Sequence, residues 1–210
     1  MLSKDDLRTA IAPTNRGIAA NAADKQAIAS IIAQIEDRNP TPDPLSATDL
    51  LEGDWRLLYT TSQELLGIDK VPLAQLGDIY QCVRIAQSRI YNIAEVKGLP
   101  YLESLVSVVA SFAPAADAND EVSAMQLKRR VNVKFNRAVL GLQRSLGYQS
   151  PAQYIQQLET TEKMSWLKGI DFAINAERQQ GWLEITYLDE DLRIGRGNQG
   201  SLFVLTKCAD

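Results

Sequence analysis

The chain has 210 residues, 45% of them hydrophobic and 23% charged, and carries a formal net charge of −4. That balance fits one globular domain with an appendage, long enough to bury about 70% of its unfolded surface, and the charge is too small to argue for nucleic acid or for an acidic partner. There is no histidine, which excludes Ser-His-Asp and Cys-His catalysis, removes the usual zinc ligand and leaves carboxylate, tyrosine or lysine chemistry open.

The first forty residues read as helix. Ser3 caps a short helix, with Asp6 placed to complete a capping box. Pro13 and Gly17 interrupt it, and Asn21 opens a longer helix. Ala27, Ile28, Ile31, Ile32 and Ile35 recur there at helical spacing, a stripe expected to dock on the domain core. The opposite face carries Asp24, Lys25, Glu36, Asp37 and Arg38, whereas a helix that adsorbs to anionic lipid is basic there. Met1–Ala12 carries Asp5 and Asp6 and has no apolar run, so neither a secretory signal nor a transit peptide is expected there.

Asn39–Pro44 is a proline-rich, stiff linker. It separates an N-terminal helical segment, 1–40, from a main domain, 45–210. Beyond it the period changes from helical to alternating. Strands are predicted over Asp54–Thr61, Ile79–Ile85, Arg89–Val96, Leu102–Phe112 and Met125–Phe135. Leu102–Phe112 is apolar on both faces, as in a strand covered on both sides. At 11 residues, with Glu103, Ser104 and Ser107 inside, it is too short for the ~18 apolar residues of a membrane span. A helical insertion at about 137–169 follows, its helix started by Ser150–Pro151 and given an apolar side by Tyr154, Ile155 and Leu158. The chain returns to strands over Trp182–Leu188, Leu192–Arg196 and Ser201–Lys207, joined by Asp189–Asp191 and Gly197–Gly200. The fold class is β-dominated α+β. About eight mostly antiparallel strands are the number that closes a barrel around side chains or one small ligand. An open sheet packed on one helix is the alternative.

Gly195–Gly200 spells GxGxxG, but its glycines run into a strand instead of a helix N-terminus, so a hairpin turn is expected in place of a dinucleotide site. Asp189, Glu190 and Asp191 read as a solvated turn, with Asp189 placed to accept backbone N–H bonds; calcium is the weaker alternative. Lys128, Arg129, Arg130, Lys134 and Arg137 form either a solvated strand face or a patch for anionic headgroups, the candidates being Lys128, Arg130, Lys134 and Arg137. They lack the interleaved aromatics of a nucleic-acid surface. Gly53–Asp54–Trp55 opens the first strand and Arg193 lies on a late one; closure would bring Arg193 over Trp55 as a plug, with Gly53 and Asp189 as further closure residues. The apolar strand faces offer Trp55, Leu57, Tyr59, Val83, Ile85, Val131, Val133, Phe135, Ile185 and Tyr187 as pocket residues. Cys82 and Cys208 are expected to be unpaired thiols, with a disulfide the alternative.

These residues resemble a known family. Leu51–Ser62 is similar to the opening strand of the PAP/fibrillin (plastid lipid-associated protein) family, Asp78–Gln81 with Asn92 to its next block, Val131–Phe135 to its middle strand and Leu183–Leu205 to its C-terminal signature. The matches run in order from residue 3 to residue 207. The resemblance implies a lipocalin-like barrel at thylakoid membranes or lipid globules, carrying carotenoids, prenylquinones or fatty acids without catalysis or a resident cofactor. With no transit peptide expected, a cyanobacterial member, cytoplasmic, or a mature plastid form is expected. Two alternatives stay open. One is a scaffold for a protein partner such as a polyprenyl-diphosphate synthase. The other is a bilin-lyase-like enzyme using Glu64, Asp69, Glu95 or Glu103 if these point inward.

Overall fold

The computed structural model describes residues 2–62, 75–98, 100–115, 124–175 and 180–209. Helix α1 (Lys4–Ile11) and helix α2 (Ala22–Glu36) come first. Each starts in a capping box. The Ser3 hydroxyl accepts the Asp6 amide at 3.2 Å and the Asp6 carboxylate accepts the Ser3 amide at 2.7 Å. Asn21 and Asp24 repeat the arrangement at 3.0 Å both ways. These exchanges satisfy amides that a helix start leaves without partners.

The strands are β1 (Gly53–Thr60), β2 (Gln75–Arg84), β3 (Arg89–Lys97), β4 (Ser104–Pro114), β5 (Arg130–Leu142), β6 (Ile170–Ala173), β7 (Gln180–Leu188), β8 (Leu192–Gly197) and β9 (Leu202–Lys207). They pair in the order β4-β3-β2-β1-β9-β8-β7-β5, and β5 pairs back onto β4, closing an eight-stranded antiparallel barrel. β6 hangs on β5 outside the closed set. Short helices α3 (Thr48–Leu51), α4 (Ala124–Leu127) and α5 (Gln143–Leu146) and the longer α6 (Pro151–Thr160) complete the fold. Ser150 caps α6 and Pro151 occupies its first turn.

Several boundaries differ from the sequence reading, most of all around β5 and β6. Met125 and Leu127 lie on helix α4, and β5 begins at Arg130. β5 continues past Phe135 to Leu142, so helical structure resumes only at α5. Its second half alternates less visibly because Asn136 sits at an irregularity in the β4 pairing that reverses the face order. β6 is four residues long, too short for a periodic signal.

Both outer flanks of the barrel are covered. Leu7, Ile11, Ile28, Ile32 and Ile35 of α1 and α2 pack on Tyr59, Tyr187, Leu192, Ile194 and Val204. Fully burying each such aliphatic side chain contributes about 1.5–3 kcal/mol. Polar contacts fix the register of this layer. Lys4 binds Asp189 and Asp191, Arg8 reaches Asp191 at 2.6 Å, and Glu36 pairs with Arg196 at 2.7 Å. The opposite flank carries α6, whose Tyr154, Ile155 and Leu158 pack on Cys82, Tyr91, Ile93, Leu105, Val109 and Val139. This explains the double-faced apolarity of β4. Leu105, Ser107 and Val109 face α6, while Val106 and Phe112 pack on the side that includes Trp55.

The acidic turn accepts backbone amides as expected, Asp189 Oδ1 taking those of Asp191 at 3.1 Å and Leu192 at 2.9 Å, but it is not freely solvated, because Lys4 and Arg8 pair with it from α1. Gly195 and Gly197 lie on β8, and Asn198–Gly200 form one turn of 3₁₀ helix leading into β9. No α-helix follows Gly200, so the dinucleotide reading has no structural basis. Cys82 is buried, Cys208 half-buried, and both are free thiols.

Candidate functional site

The closed end of the barrel is built around Trp55. Its ring is fully buried and its indole N–H donates to the Leu51 carbonyl at 3.0 Å. The Arg193 guanidinium carbon lies 4.9 Å from the ring centroid and Lys207 Nζ 5.4 Å from it. Gly53 begins the strand at φ +123°, a conformation cheap only for glycine, with Lys207 passing 3.1 Å from where a Cβ would stand. Arg193 is 2% exposed, and burial pulls its pKa from 12.5 down to about 9, so it remains a cation at neutral pH. Arg193 Nη2 donates to Gln81 Oε1, and Gln81 Nε2 donates to Asn92 Oδ1 at 3.0 Å. The result is a charged, hydrogen-bonded floor.

From this floor an inward row crosses the wall. Gln81 pairs with Asn92, Asn92 with Val108, Val108 with Ala138, and Ala138 with Phe172. Directly opposed residues in antiparallel strands share a face, so these five line one surface. Gln81, Asn92, Val108 and Ala138 are half-buried and Phe172 is 52% exposed. The next row behaves alike: Ala94, Val106, Leu140 and Ile170 pair in series, and exposure rises to 43% at Leu140 and 64% at Ile170. The inner surface is therefore polar at the Arg193 floor, apolar along the wall, and open to solvent at β5 and β6.

The predicted pocket residues divide. Trp55, Leu57, Val83 and Ile185 pack in one inner cluster, and Val131 and Val133 form another with Phe135 against it. Ile85 sits in the turn after β2, at the closed end, packed against the Trp55 cluster. Tyr59 and Tyr187 lie instead in the layer beneath α1 and α2. Irregularities at Leu57/Tyr59 and Ile185/Tyr187 shift each strand by one residue and turn those tyrosines outward.

The basic residues divide too. Lys128 and Lys134 are exposed, and Arg130 stacks on Trp182 at 3.7 Å. Arg137 is occupied: it binds both Asp171 oxygens at 3.0 and 2.7 Å and the carbonyls of Leu158 and Thr161. A cleft of about 290 Å³ lined by Arg89, Tyr91, Val109, Ser111 and Arg137 lies on the outer side of the wall, away from the lumen. Of the carboxylates weighed for catalysis, Glu95 accepts the Tyr148 hydroxyl at 2.8 Å, and the Gln143 amide binds the Glu103 backbone carbonyl. Burial, and then the bond to Glu95, push the Tyr148 phenol well above its usual range. Glu64 and Asp69 lie outside the described residues. Among the described residues no cluster of His, Cys, Asp or Glu could hold a metal ion, and no helix is long and apolar enough to cross a membrane.

Sequence reasoning missed the open rim. Trp166 is 84% exposed and Leu167 70%, in a turn between α6 and β6. A Trp-Leu pair between two lysines in a loop was the available signal.

The family model described as PAP_fibrillin matches residues 1–206. Plastoglobulin-1, chloroplastic, of Pisum sativum is 32% identical over 92% of this chain and 57% of its own length. Probable plastid-lipid-associated protein 2, chloroplastic, of Arabidopsis thaliana is 29% identical over 92% of this chain and 66% of its own. The chromoplast-specific carotenoid-associated protein of Cucumis sativus is 30% identical over 92% and 64%. The chain thus spans 57% to 66% of the length of these relatives. No solved structure gives a significant match.

Proposed function

The chain belongs to the PAP_fibrillin family, and from that premise we propose that its barrel holds a hydrophobic metabolite or lipid, of the carotenoid, prenylquinone or fatty-acid class, and carries it at a lipid surface without chemical change. One observation carries the reading. The inner row from Gln81 to Phe172 keeps accessible surface along its whole length and opens outward through apolar side chains. A core closed for stability alone would bury that row. Burial of an apolar chain contributes ~0.8 kcal/mol per CH₂ before ordering costs, so a long chain entering from the β6 end has a driving force. The Arg193–Gln81–Asn92 floor would meet its polar head. The relatives' names point the same way: two of them call their proteins lipid-associated or carotenoid-associated.

The test is titration of the purified chain with a fluorescent polyene fatty acid, followed by competition with a carotenoid, a prenylquinone and a saturated fatty acid. Saturable binding displaced by at least one competitor is expected, and Ala138→Trp, which fills the row midway, should remove it. Equal binding by wild type and Ala138→Trp contradicts a lumen site.

A further inference from the structure

We propose that the Trp166–Leu167 turn and the apolar rim beside it are a rigid anchor that inserts into an anionic lipid surface, with the barrel mouth facing that surface. The proposal rests on the reading that the protein works at a lipid surface and names the part that touches it.

Among the described residues, the exposed large apolar side chains are concentrated at one end. Tyr101 is 72% exposed, Leu102 55%, Leu140 43%, Leu142 37%, Trp166 84%, Leu167 70%, Ile170 64% and Phe172 52%. They sit on bonded, adjacent segments. Ser104 pairs with Leu142, the Gln143 amide bonds the Glu103 carbonyl, and Leu140 pairs with Ile170. A contiguous apolar patch of this kind marks a binding surface.

The turn is held stiffly. Asp171 accepts Arg137 twice and the Met164 amide at 2.6 Å, and its side chain is 4% exposed. Arg137 also ties down the end of α6 through the Leu158 and Thr161 carbonyls. The Lys168 amide bonds the Ser165 carbonyl at 2.8 Å. Gly169 and Gly141 let the turn lie on β5: a Cβ on Gly141 would stand 2.7 Å from the Lys168 carbonyl oxygen, and one on Gly169 2.6 Å from that of Leu140. A loop that could fold Trp166 onto the protein is instead clamped so that Trp166 points into solvent.

Charge selects the occupant. Lys163 and Lys168 flank the Trp-Leu pair, Lys97 ends β3 and Arg144 lies on α5, all exposed. Among the described residues of these segments the unpaired acids are Glu103 and Glu162, so bases lead in a chain whose net charge is −4. Tryptophan and tyrosine beside lysine and arginine are the side chains that settle at the boundary between headgroups and acyl chains. In a two-fold dimer through this rim the same lysines and Arg144 would face one another, like charge against like.

The experiment is sedimentation of the full chain with phosphatidylcholine–phosphatidylglycerol vesicles and with phosphatidylcholine alone. Wild type should bind the anionic vesicles. Trp166→Ser with Leu167→Ser should bind on the order of a hundredfold less, and Lys163→Gln with Lys168→Gln about fivefold less for each lysine. Brominated acyl chains should quench wild-type tryptophan emission and leave Trp166→Ser unquenched. Because these side chains stand in solvent, circular dichroism should show all variants folded. Equal vesicle binding by wild type and the Trp166/Leu167 variant overturns the anchor, as does a wild type that ignores vesicles or a dimer that the double variant dissolves. Probe binding in the lumen separates the two readings. No saturable probe with Trp166-dependent vesicle binding defeats carriage and supports the anchor. Saturable probe with Trp166-independent vesicle binding defeats the anchor alone.

Discussion

Truncating Trp55 tests how the closed end is held. The ring is fully buried, and Trp→Ala at such a site costs about 3–5 kcal/mol. The variant also loses the bond from the indole N–H to the Leu51 carbonyl, worth about 1 kcal/mol. The sum, about 5 kcal/mol, is a large part of the 5–15 kcal/mol that holds a domain together. At about 2–4 °C per kcal/mol for this size, Trp55→Ala should unfold roughly 10–20 °C lower by circular dichroism. The stacking itself is isolated by a cycle with Arg193→Met, since the guanidinium lies 4.9 Å over the ring. A coupling of about 1–2 kcal/mol from urea midpoints is expected. A Trp55→Ala penalty below ~1 kcal/mol, or a coupling indistinguishable from zero, would refute the reasoning.

Three more outcomes are checkable. Asp171→Ala removes the clamp on the anchor turn from a nearly buried pair; it should cost about 3 kcal/mol and speed amide exchange across 162–173, and unchanged exchange there would sink the clamp. The Asp171 and Asp191 carboxyls are held below the usual range: burial opposes this, but Arg137 and the Met164 amide prevail at Asp171, and Lys4 and Arg8 at Asp191. Depressed folded values mean that their stabilisation is complete above the unfolded pKa near ~4 and is lost as pH falls further, so acid denaturation of wild type should begin below about pH 4, and Asp191→Asn, whose partners are half-exposed, should flatten only a small part of it. Gly141→Ala forces a Cβ into the Lys168 carbonyl and should destabilise by about 1–3 kcal/mol while reducing vesicle binding; an unchanged melting curve would count against the close approach.

Much of the architecture was readable because strong local signals agreed with the global fold. Ser3, Asn21 and Ser150 announced helix starts, and the isoleucines of α2 announced a docking face. The Trp55–Arg193 contact followed from barrel closure. Periodicity failed where a strand broke register. The irregularities at Leu57/Tyr59 and Ile185/Tyr187 reverse the faces, and no residue at those positions advertises an extra step. The same layer changes the meaning of an N-terminal deletion. Removing residues 1–40 would strip α1 and α2 from Tyr59, Tyr187, Ile194 and Val204, so lost binding in that variant would report unfolding as readily as a lost partner site. The rim stayed hidden because exposure of Trp166 is set by Arg137–Asp171 and by the Gly141–Gly169 crossing, contacts between segments that periodicity treats separately.

The most direct measurement of carriage is mass spectrometry of an organic extract from the chain purified from its own host. A hydrophobic molecule near equimolar with the protein, and missing from Ala138→Trp, is the predicted result; an empty extract from folded wild-type protein would contradict the account.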